Sequence, residues 1–470
     1  MPAWLLSFIL HVALLMLLAL MHEQAKDKGA WVTLTCTVSP EVKEGGDVLN
    51  MPITKDAKFD LPLPKPDDLN DPKKREALIA ANQDARQLRL DANASDAHLP
   101  PLDTVRERVA SAKGVKNGLL ARDPRLRVEM VKTEGGTTLT EAAVARALRW
   151  FQRHQNEKGS WSLHNFQHAE HCSCGGQGGI DDDTAGTALA LLPYLGAGQT
   201  HLVGIYKEEM SKGLRWLITH QKENGDLRVN QGNSGMYAHG QATIVLCEAF
   251  AMTGDEELRV PAQKAVDFIV QAQYHDGGWR YTPNGHGQSG DTSVVGWQLM
   301  ALQSARAANL TVPEQTFKRT SAYLDRVQHD GGATYSYQRG NPATTTMTAE
   351  GLLCRLYLGW NKSDRALSVG VKHLVEEHPP ERGRLGIYYW YYATQTMHHY
   401  GGKEWEKWNL SMRDLLVDTQ QRSGHAAGSW SPSGEHSDAG GRIYMTALAA
   451  CTLEVYYRHL PIFRQIKVDE

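Results

Sequence analysis

One short turn recurs along the chain and constrains its fold more than any other feature. ALRWFQRHQNEKGSW (Ala147 to Trp161) is echoed by GLRWLITHQKENGDL (Gly213 to Leu227), FIVQAQYHDGGWRY (Phe268 to Tyr281), YLDRVQHDGGATYSY (Tyr323 to Tyr337) and, more distantly, LLVDTQQRSGHAAGSW (Leu415 to Trp430). Each copy ends a charged, amphipathic helical pattern and leads into a second helix of different character, poor in charge and rich in Ala, Gly, Thr and Leu. The second helices are expected over Asp183–Gly196, Met236–Thr253, Thr292–Ala308, Thr345–Gly359, Ile387–Tyr400 and Arg442–His459, with Arg365–Glu377 as the outer helix of the fifth pair. A helix with one apolar stripe belongs at a surface, and one that is apolar all round belongs inside. Six alternations therefore predict an all-α, α6/α6 toroid of six outer helices around six inner ones. Within each Gln-x3-Gly-x-Trp turn, the Gln side chain is expected to bond backbone at the next helix start and the Trp to fill the wedge between neighbours.

The first outer helix opens at Thr138-Leu-Thr-Glu141, a capping box, and the toroid is assigned to residues 138–463, with a short tail over 464–470. Ahead of it, Trp4 to Met21 is apolar but for Ser7 and His11 and is long enough to span a bilayer, so residues 1–29 are read as a single-pass membrane anchor. The toroid is then expected on the extracytoplasmic side of the cell membrane. Residues 30–137 hold an alternating, β-branched stretch, Ala30 to Val38, and a Pro-, Asp- and Lys-rich stalk with one charged helix around Lys73 to Leu90. The net charge of −3 supplies no basic field, which removes nucleic acid as a partner.

Six cysteines are too few and too scattered for a disulfide scaffold. Cys247, Cys354 and Cys451 fall within inner-helix patterns, where a reduced thiol is a small hydrophobe. Cys172 and Cys174 share a loop with His164, His168 and His171. Imidazole and thiolate select zinc, which makes His168, His171, Cys172 and Cys174 a candidate metal set. A disulfide from either cysteine, with Cys36 among the candidate partners, is the alternative. Apart from zinc here, the chain calls for no cofactor.

The fifth inner helix crowds Tyr388, Trp390, Tyr391 and Tyr392 together. Their rings, with His239 and Trp297 from the second and third inner helices, are candidates to line a central cavity, and packing is the competing reading. GHGQSG (Gly285 to Gly290) matches a dinucleotide fingerprint in letters only, since no strand precedes it.

The repeated turns, the DDDTA sequence at the first inner helix and the terminal LEVYYRHLPIF resemble the squalene cyclase and protein prenyltransferase superfamily, whose shared fold is the α/α toroid. In overall form the chain is most similar to short, membrane-anchored bacterial proteins with prenyltransferase and squalene oxidase repeats. The resemblance implies that Asp182, flanked by Asp181 and Asp183, holds the place of the middle acid of the Asp-x-Asp-Asp-Thr-Ala motif, which protonates an alkene or epoxide in class II terpene cyclases. Ile180 replaces that motif's first aspartate, and helix capping by these residues is the competing role. Prenyltransferase β-subunits carry a zinc site with an Asp-x-Cys element. The corresponding turn here, Asp291-Thr-Ser293, has no cysteine, which argues against zinc-dependent prenyl transfer. Three functions follow: a cyclase-like enzyme acting on an isoprenoid lipid, a noncatalytic binding or scaffold toroid of the cell envelope, and a carbohydrate-active toroid. Fold alone does not choose among them.

Overall fold

The computed structural model of the chain describes residues 48–52, 72–86, 119, 122–167, 172–230, 232–283, 285, 287–383, 385–459, 462 and 465–469. The expected anchor at Trp4 to Met21 and the expected strand at Ala30 to Val38 lie outside these. Among the described residues no helix is long and apolar enough to cross a membrane.

Twelve helices form six consecutive pairs. The outer members are α3 (Thr138–Arg153), α5 (Lys207–His220), α7 (Glu256–Gln271), α9 (Glu314–Val327), α11 (Arg365–Glu377) and α13 (Gly402–Thr419). The inner members are α4 (Asp183–Gly196), α6 (Gly235–Thr253), α8 (Thr292–Ala307), α10 (Thr345–Tyr357), α12 (Ile387–Tyr400) and α14 (Ser437–Leu453). Each inner helix packs on the next, and α14 packs on α4, so the ring is closed. Burial follows the two sequence patterns. In α9 the buried residues are Thr316, Phe317, Thr320, Tyr323, Leu324 and Val327, one stripe at helical spacing. In α4 every residue from Thr184 to Gly196 is buried.

The turn glutamines link successive pairs. Gln155 donates its side-chain amide to the Gly159 carbonyl of its own turn at 2.8 Å and to the Glu209 carbonyl of α5 at 2.9 Å. Gln221 does the same for Gly225 and Pro261 of α7, and Gln273 for Gly277 and Thr316 of α9. Gln420 bonds Gly428 at 3.0 Å and Ala143 of α3 at 2.7 Å, joining the last outer helix to the first. The turn tryptophans point the other way. Trp161, Trp279 and Trp430 donate their indole N–H to carbonyls of Phe151, Ile269 and Leu416 in the preceding outer helix. The turn residue Gly428 has φ +98°, and a Cβ there would strike the Arg146 carbonyl, so neither its conformation nor its contact admits another residue.

The segment expected to be a stalk is partly built into this domain. It supplies β1 (Val48–Pro52), α1 (Pro72–Arg86) and α2 (Pro124–Glu134). α1 lies on α3, with Leu78, Ala81 and Ala85 buried and Asp84 bridging Arg146 at 2.8 Å and Arg149 at 2.6 Å. α2 buries Leu126, Met130 and Val131, and its Arg127 makes a two-pronged pair with Glu141 at 3.0 and 2.6 Å. α1 falls where the charged helix around Lys73 to Leu90 is expected, whereas the apolar set of α2 is short and sits among charged residues, which hides its helical spacing. After the ring come α15 (Val455–Arg458) and the strand read as a tail; numbering the short β2–β3 hairpin of the fourth turn (Gln328–His329 with Thr334–Tyr335) before it, that last strand is β4 (Gln465–Asp469). β4 pairs in parallel with β1, Val48 opposite Gln465 through Pro52 opposite Asp469.

The closing bonds give a direct test. Gln420→Ala leaves the Ala143 and Gly428 carbonyls without the amide that serves them, and is expected to cost about 1–3 kcal/mol. Trp430→Ala, which removes a fully buried ring, is expected to cost about 3–5 kcal/mol. In hydrogen exchange, Gln420→Ala should raise opening rates in α3 and α13 together and leave α7 and α9 near wild type. Uniform loosening of all six pairs would show that closure does not depend on this contact.

Candidate functional site

The six inner helices begin at the same end of the ring, and their amino ends surround a cavity of about 710 Å³. Its wall is aromatic and apolar: Tyr237, Tyr281, Trp297, Tyr337, Tyr388 and Tyr444, with Leu163, Ile180, Leu189 and Met347 between them. Glu435 and the exposed His436 stand on the wall before α14. His436 has φ 64°, in the left-handed region that non-glycine residues rarely occupy, and its ring lies edge-on to Tyr388 at 5.7 Å. Toward the carboxyl ends of the inner helices lies a separate space of about 40 Å³. Arg122 spans Glu248 at 2.7 and 3.0 Å, and Arg458 reaches the same carboxylate at 3.3 Å and Glu454 at 3.4 Å. Two buried arginines against inner-helix carboxyl ends match the negative end of those dipoles.

Of the residues predicted to bind a substrate, Tyr388 and Trp297 line this cavity. Trp390, Tyr391 and Tyr392 are buried around the rest of α12; Tyr391 stacks on Trp297 at 5.5 Å and lines the smaller space. His239 is elsewhere. Its Nδ1 accepts the Leu227 N–H at 3.2 Å and its Nε2–H donates to the Ala265 carbonyl at 3.0 Å. Thr187, Thr348 and Thr446 accept the N–H of Trp161, Tyr335 and Trp430 in the same way, so His239 straps a turn to its inner helix in the second repeat.

Asp182 is the N-cap of α4. Its carboxylate accepts the Ala185 N–H at 2.9 Å and the Ser234 hydroxyl at 2.7 Å, and Ser234 stands between it and the cavity. Burial raises the Asp182 carboxyl above its ordinary range, against the bonds that favour its charged form. Asp181 is exposed and Asp183 half-buried. Two further carboxyls, Asp291 and Glu350, which the sequence offers among the acids of the inner-helix starts, lie beside the cavity. Asp291 caps α8 and accepts the Ser293 N–H at 2.9 Å and the Ser293 hydroxyl at 2.6 Å; that hydroxyl meets the Tyr237 hydroxyl, again at 2.6 Å. Glu350 is fully buried on α10, and the Tyr388 hydroxyl donates to it at 3.4 Å. Burial raises the pKa of both, of Glu350 strongly, with the Asp291 charge adding to the burial. Asp291 shares Asp182's signal, an aspartate immediately before a small-residue inner helix.

The predicted metal set divides. His168 and His171 lie outside the described residues. Cys172 and Cys174 are free thiols, and the side chains grouped with them are His154, at the end of α3, and His425, in the last repeat's turn. None of these four lines the central cavity.

His239 makes a pH prediction. Burial holds its imidazole down to about 4, from an ordinary 6.5, so the fold accepts only the neutral ring. Between those values the unfolded chain binds a proton that the native state refuses, so stability is complete above about pH 7 and falls as the pH drops toward 4. His239→Thr, which keeps a side-chain acceptor of the kind used in three other repeats, should lose less melting temperature between about pH 7 and pH 5 than wild type does. Equal losses would place the acid sensitivity elsewhere.

Residues 128–239 match the family described as squalene-hopene cyclase C-terminal domain. No curated protein matches the chain in sequence. Among solved structures, the α-1,6-mannanase GH76A from Salegentibacter sp. HEL1_6 is similar at 12% identity and a TM-score of 0.46, covering 68% of this chain and 98% of its own. An α-amylase from Clostridium perfringens is similar at 11% identity and 0.46, covering 67% and 97%. The type II terpene cyclase MstE from Scytonema is similar at 13% identity and 0.44, covering 68% and 98%. Likeness at this level carries no activity across. The closed double ring with its Gln- and Trp-bearing turns is an α/α toroid, and its part over residues 128–239 is similar to the squalene-hopene cyclase C-terminal domain.

Proposed function

We propose that this toroid takes an isoprenoid-like hydrophobic molecule into the cavity at the amino ends of its inner helices. The observation that carries the reading is the cavity itself: about 710 Å³, walled by six aromatic side chains. That volume falls within the roughly 300–1,000 Å³ of small-molecule sites, which are mostly apolar with a few placed polar groups. Extended polyenes gain from such a wall through burial and through contact of ring faces with double bonds. Glycan hydrolysis fits less well. It requires a pair of carboxyls across a sugar, and Glu435 is the one carboxylate among the lining residues. The anchor expected at Trp4 to Met21 would hold the cavity near a membrane, the source of such ligands.

A second reading adds chemistry at the same cavity, namely protonation-initiated cyclisation. It is favoured by Asp182 and Asp291, each buried, each with a raised pKa and each bonded to a serine, Ser234 or Ser293, whose residue lines the cavity. Burial that raises a carboxyl's pKa favours its protonated, acid form, and an intervening hydroxyl is a route for its proton.

Titrating the detergent-solubilised chain with geranylgeraniol or squalene should change its tryptophan fluorescence saturably, with Trp297→Ala weakening binding by about tenfold or more. Saturable binding of oligosaccharides without binding of either isoprenoid would overturn the proposal. Incubation with squalene and shorter linear isoprenoids, followed by mass spectrometry, separates the readings. Cyclic products abolished by Asp182→Asn or Asp291→Asn, with the helical fold intact, establish the enzyme. Binding without product under conditions where a known cyclase works leaves a carrier or sensor.

A further inference from the structure

We infer that His154, Cys172, Cys174 and His425 form a structural zinc site at the seam where the ring closes. His154 Nε2 lies 3.4 Å from the sulfur of Cys172 and 3.4 Å from that of Cys174, and Cys174 Sγ lies 3.2 Å from His425 Nδ1. All four ligand atoms fall within 4.8 Å of one another. A tetrahedral zinc with bonds of about 2.3 Å to sulfur and 2.0–2.1 Å to nitrogen separates a sulfur from a nitrogen by about 3.5 Å. Three sulfur–nitrogen distances, 3.4, 3.4 and 3.2 Å, are close to the edges of a tetrahedron of this size, and two thiolates with two imidazoles suit zinc.

The surroundings are those of a metal site. The His154 Nδ1–H donates to the Trp150 carbonyl at 2.7 Å, which fixes the tautomer and leaves the Nε2 lone pair directed at the two sulfurs. His220 holds the same bond to the Trp216 carbonyl at 2.8 Å in the second repeat, so the helix itself sets this ring orientation. Only the first repeat brings thiols to it among the described residues. The cysteine loop is fixed by Arg442 of α14, whose guanidinium donates to the Cys174 carbonyl at 2.7 Å and the Gly175 carbonyl at 2.9 Å, placing a positive charge beside the two sulfurs. Trp150 and Phe166 pack on the His154 ring at 4.2 and 5.6 Å and keep that side dry.

All four positions come from protein, which is the arrangement of a structural rather than a catalytic zinc. The ligands belong to the end of α3, the loop before α4 and the turn before α14, with His425 lying 251 residues after Cys174. A cation held there crosslinks the first repeat to the last, and closing so long a loop gives it a large constraint on the unfolded chain.

The test is the metal content of the full-length chain, purified without a metal-affinity tag and solubilised in detergent. Elemental analysis is expected to find close to one zinc per chain. Cobalt substitution is expected to give the strong visible absorption of tetrahedral cobalt, with thiolate charge transfer in the near ultraviolet. Chelation should lower the melting temperature by several degrees, and added zinc should restore it. Cys174→Ser and His425→Ala should each lose the metal. Wild-type protein without zinc that resists zinc loading, or that carries a Cys172–Cys174 disulfide by mass in the absence of reductant, would overturn the inference. So would zinc retained at full stoichiometry in Cys174→Ser/His425→Ala. The wild-type measurements decide the matter even where a variant fails to fold.

Discussion

The amide of a turn glutamine, donated once inside its own turn and once to the next outer helix, is the contact from which the ring is built. Each such bond is worth about 1 kcal/mol net, so its importance lies in direction. It fixes the rotation from one helix pair to the next, as seen at Gln155, Gln221 and Gln273. A constant step repeated along a chain gives either an open solenoid or a closed ring, and Gln420 decides between them by reaching Ala143. The fourth turn departs from the rule. Gln328 there accepts from Arg355 at 3.3 Å, and Arg355 also holds Asp325 and the Tyr335 hydroxyl, so a buried guanidinium of α10 fastens this turn to its own outer helix, α9.

Closure with six parallel inner helices makes the two ends of the centre electrically different. The amino ends converge on the cavity, where aspartates at positions 182 and 291 and Thr344 supply side-chain caps. The carboxyl ends converge on Arg122 and Arg458, which share Glu248. Buried pairs of this kind contribute little stability over a well-packed apolar core, but removing one partner leaves a buried charge at a cost of several kcal/mol. The buried arginines accordingly fill one end of the centre with groups that cannot be exchanged singly, and the large aromatic cavity lies at the other.

Most of this architecture was legible in the sequence because its signal is periodic. The six helix pairs follow from the alternation of striped and wholly apolar helices, and the capping role weighed for Asp182 follows from an aspartate preceding a small-residue helix. The site residues were legible only where geometry is local. Tyr388 and Trp297 reach the cavity, whereas Tyr391, Tyr392 and Trp390 show that an unbroken aromatic run must face every direction of its helix. His239 was unreadable for a different reason: a histidine stands where other repeats use threonine, and residue type alone suggested chemistry. Among the described residues His154 and His425 stand beside Cys172 and Cys174, and distance along the chain hid His425. His168 and His171, favoured by proximity in sequence, lie outside the described residues. The available signal was the Trp-x3-His spacing shared by Trp150–His154 and Trp216–His220, which marks a histidine held at the end of an outer helix.

The seam and the cavity are parts of one structure. Between the cysteine loop and the start of α14, backbone bonds run from Arg442 N–H to Gly176 O at 2.7 Å, from Gly179 N–H to Asp438 O at 2.7 Å and from Ile180 N–H to Ala439 O at 3.1 Å. Ile180, Ala439 and Gly440 also line the cavity. The same loop that carries Cys172 and Cys174 therefore ends in the cavity wall, eight residues beyond the first thiol and one before the acidic run. Any group that orders the seam orders this side of the cavity and, with it, the position of Asp182 behind Ser234. The first and last pairs meet closely at this seam, where a Cβ on Gly178 would strike the Ala439 carbonyl and one on Gly441 the backbone of Gln177 and Gly178. The shape of the cavity is thus set by ring closure as well as by the residues that line it.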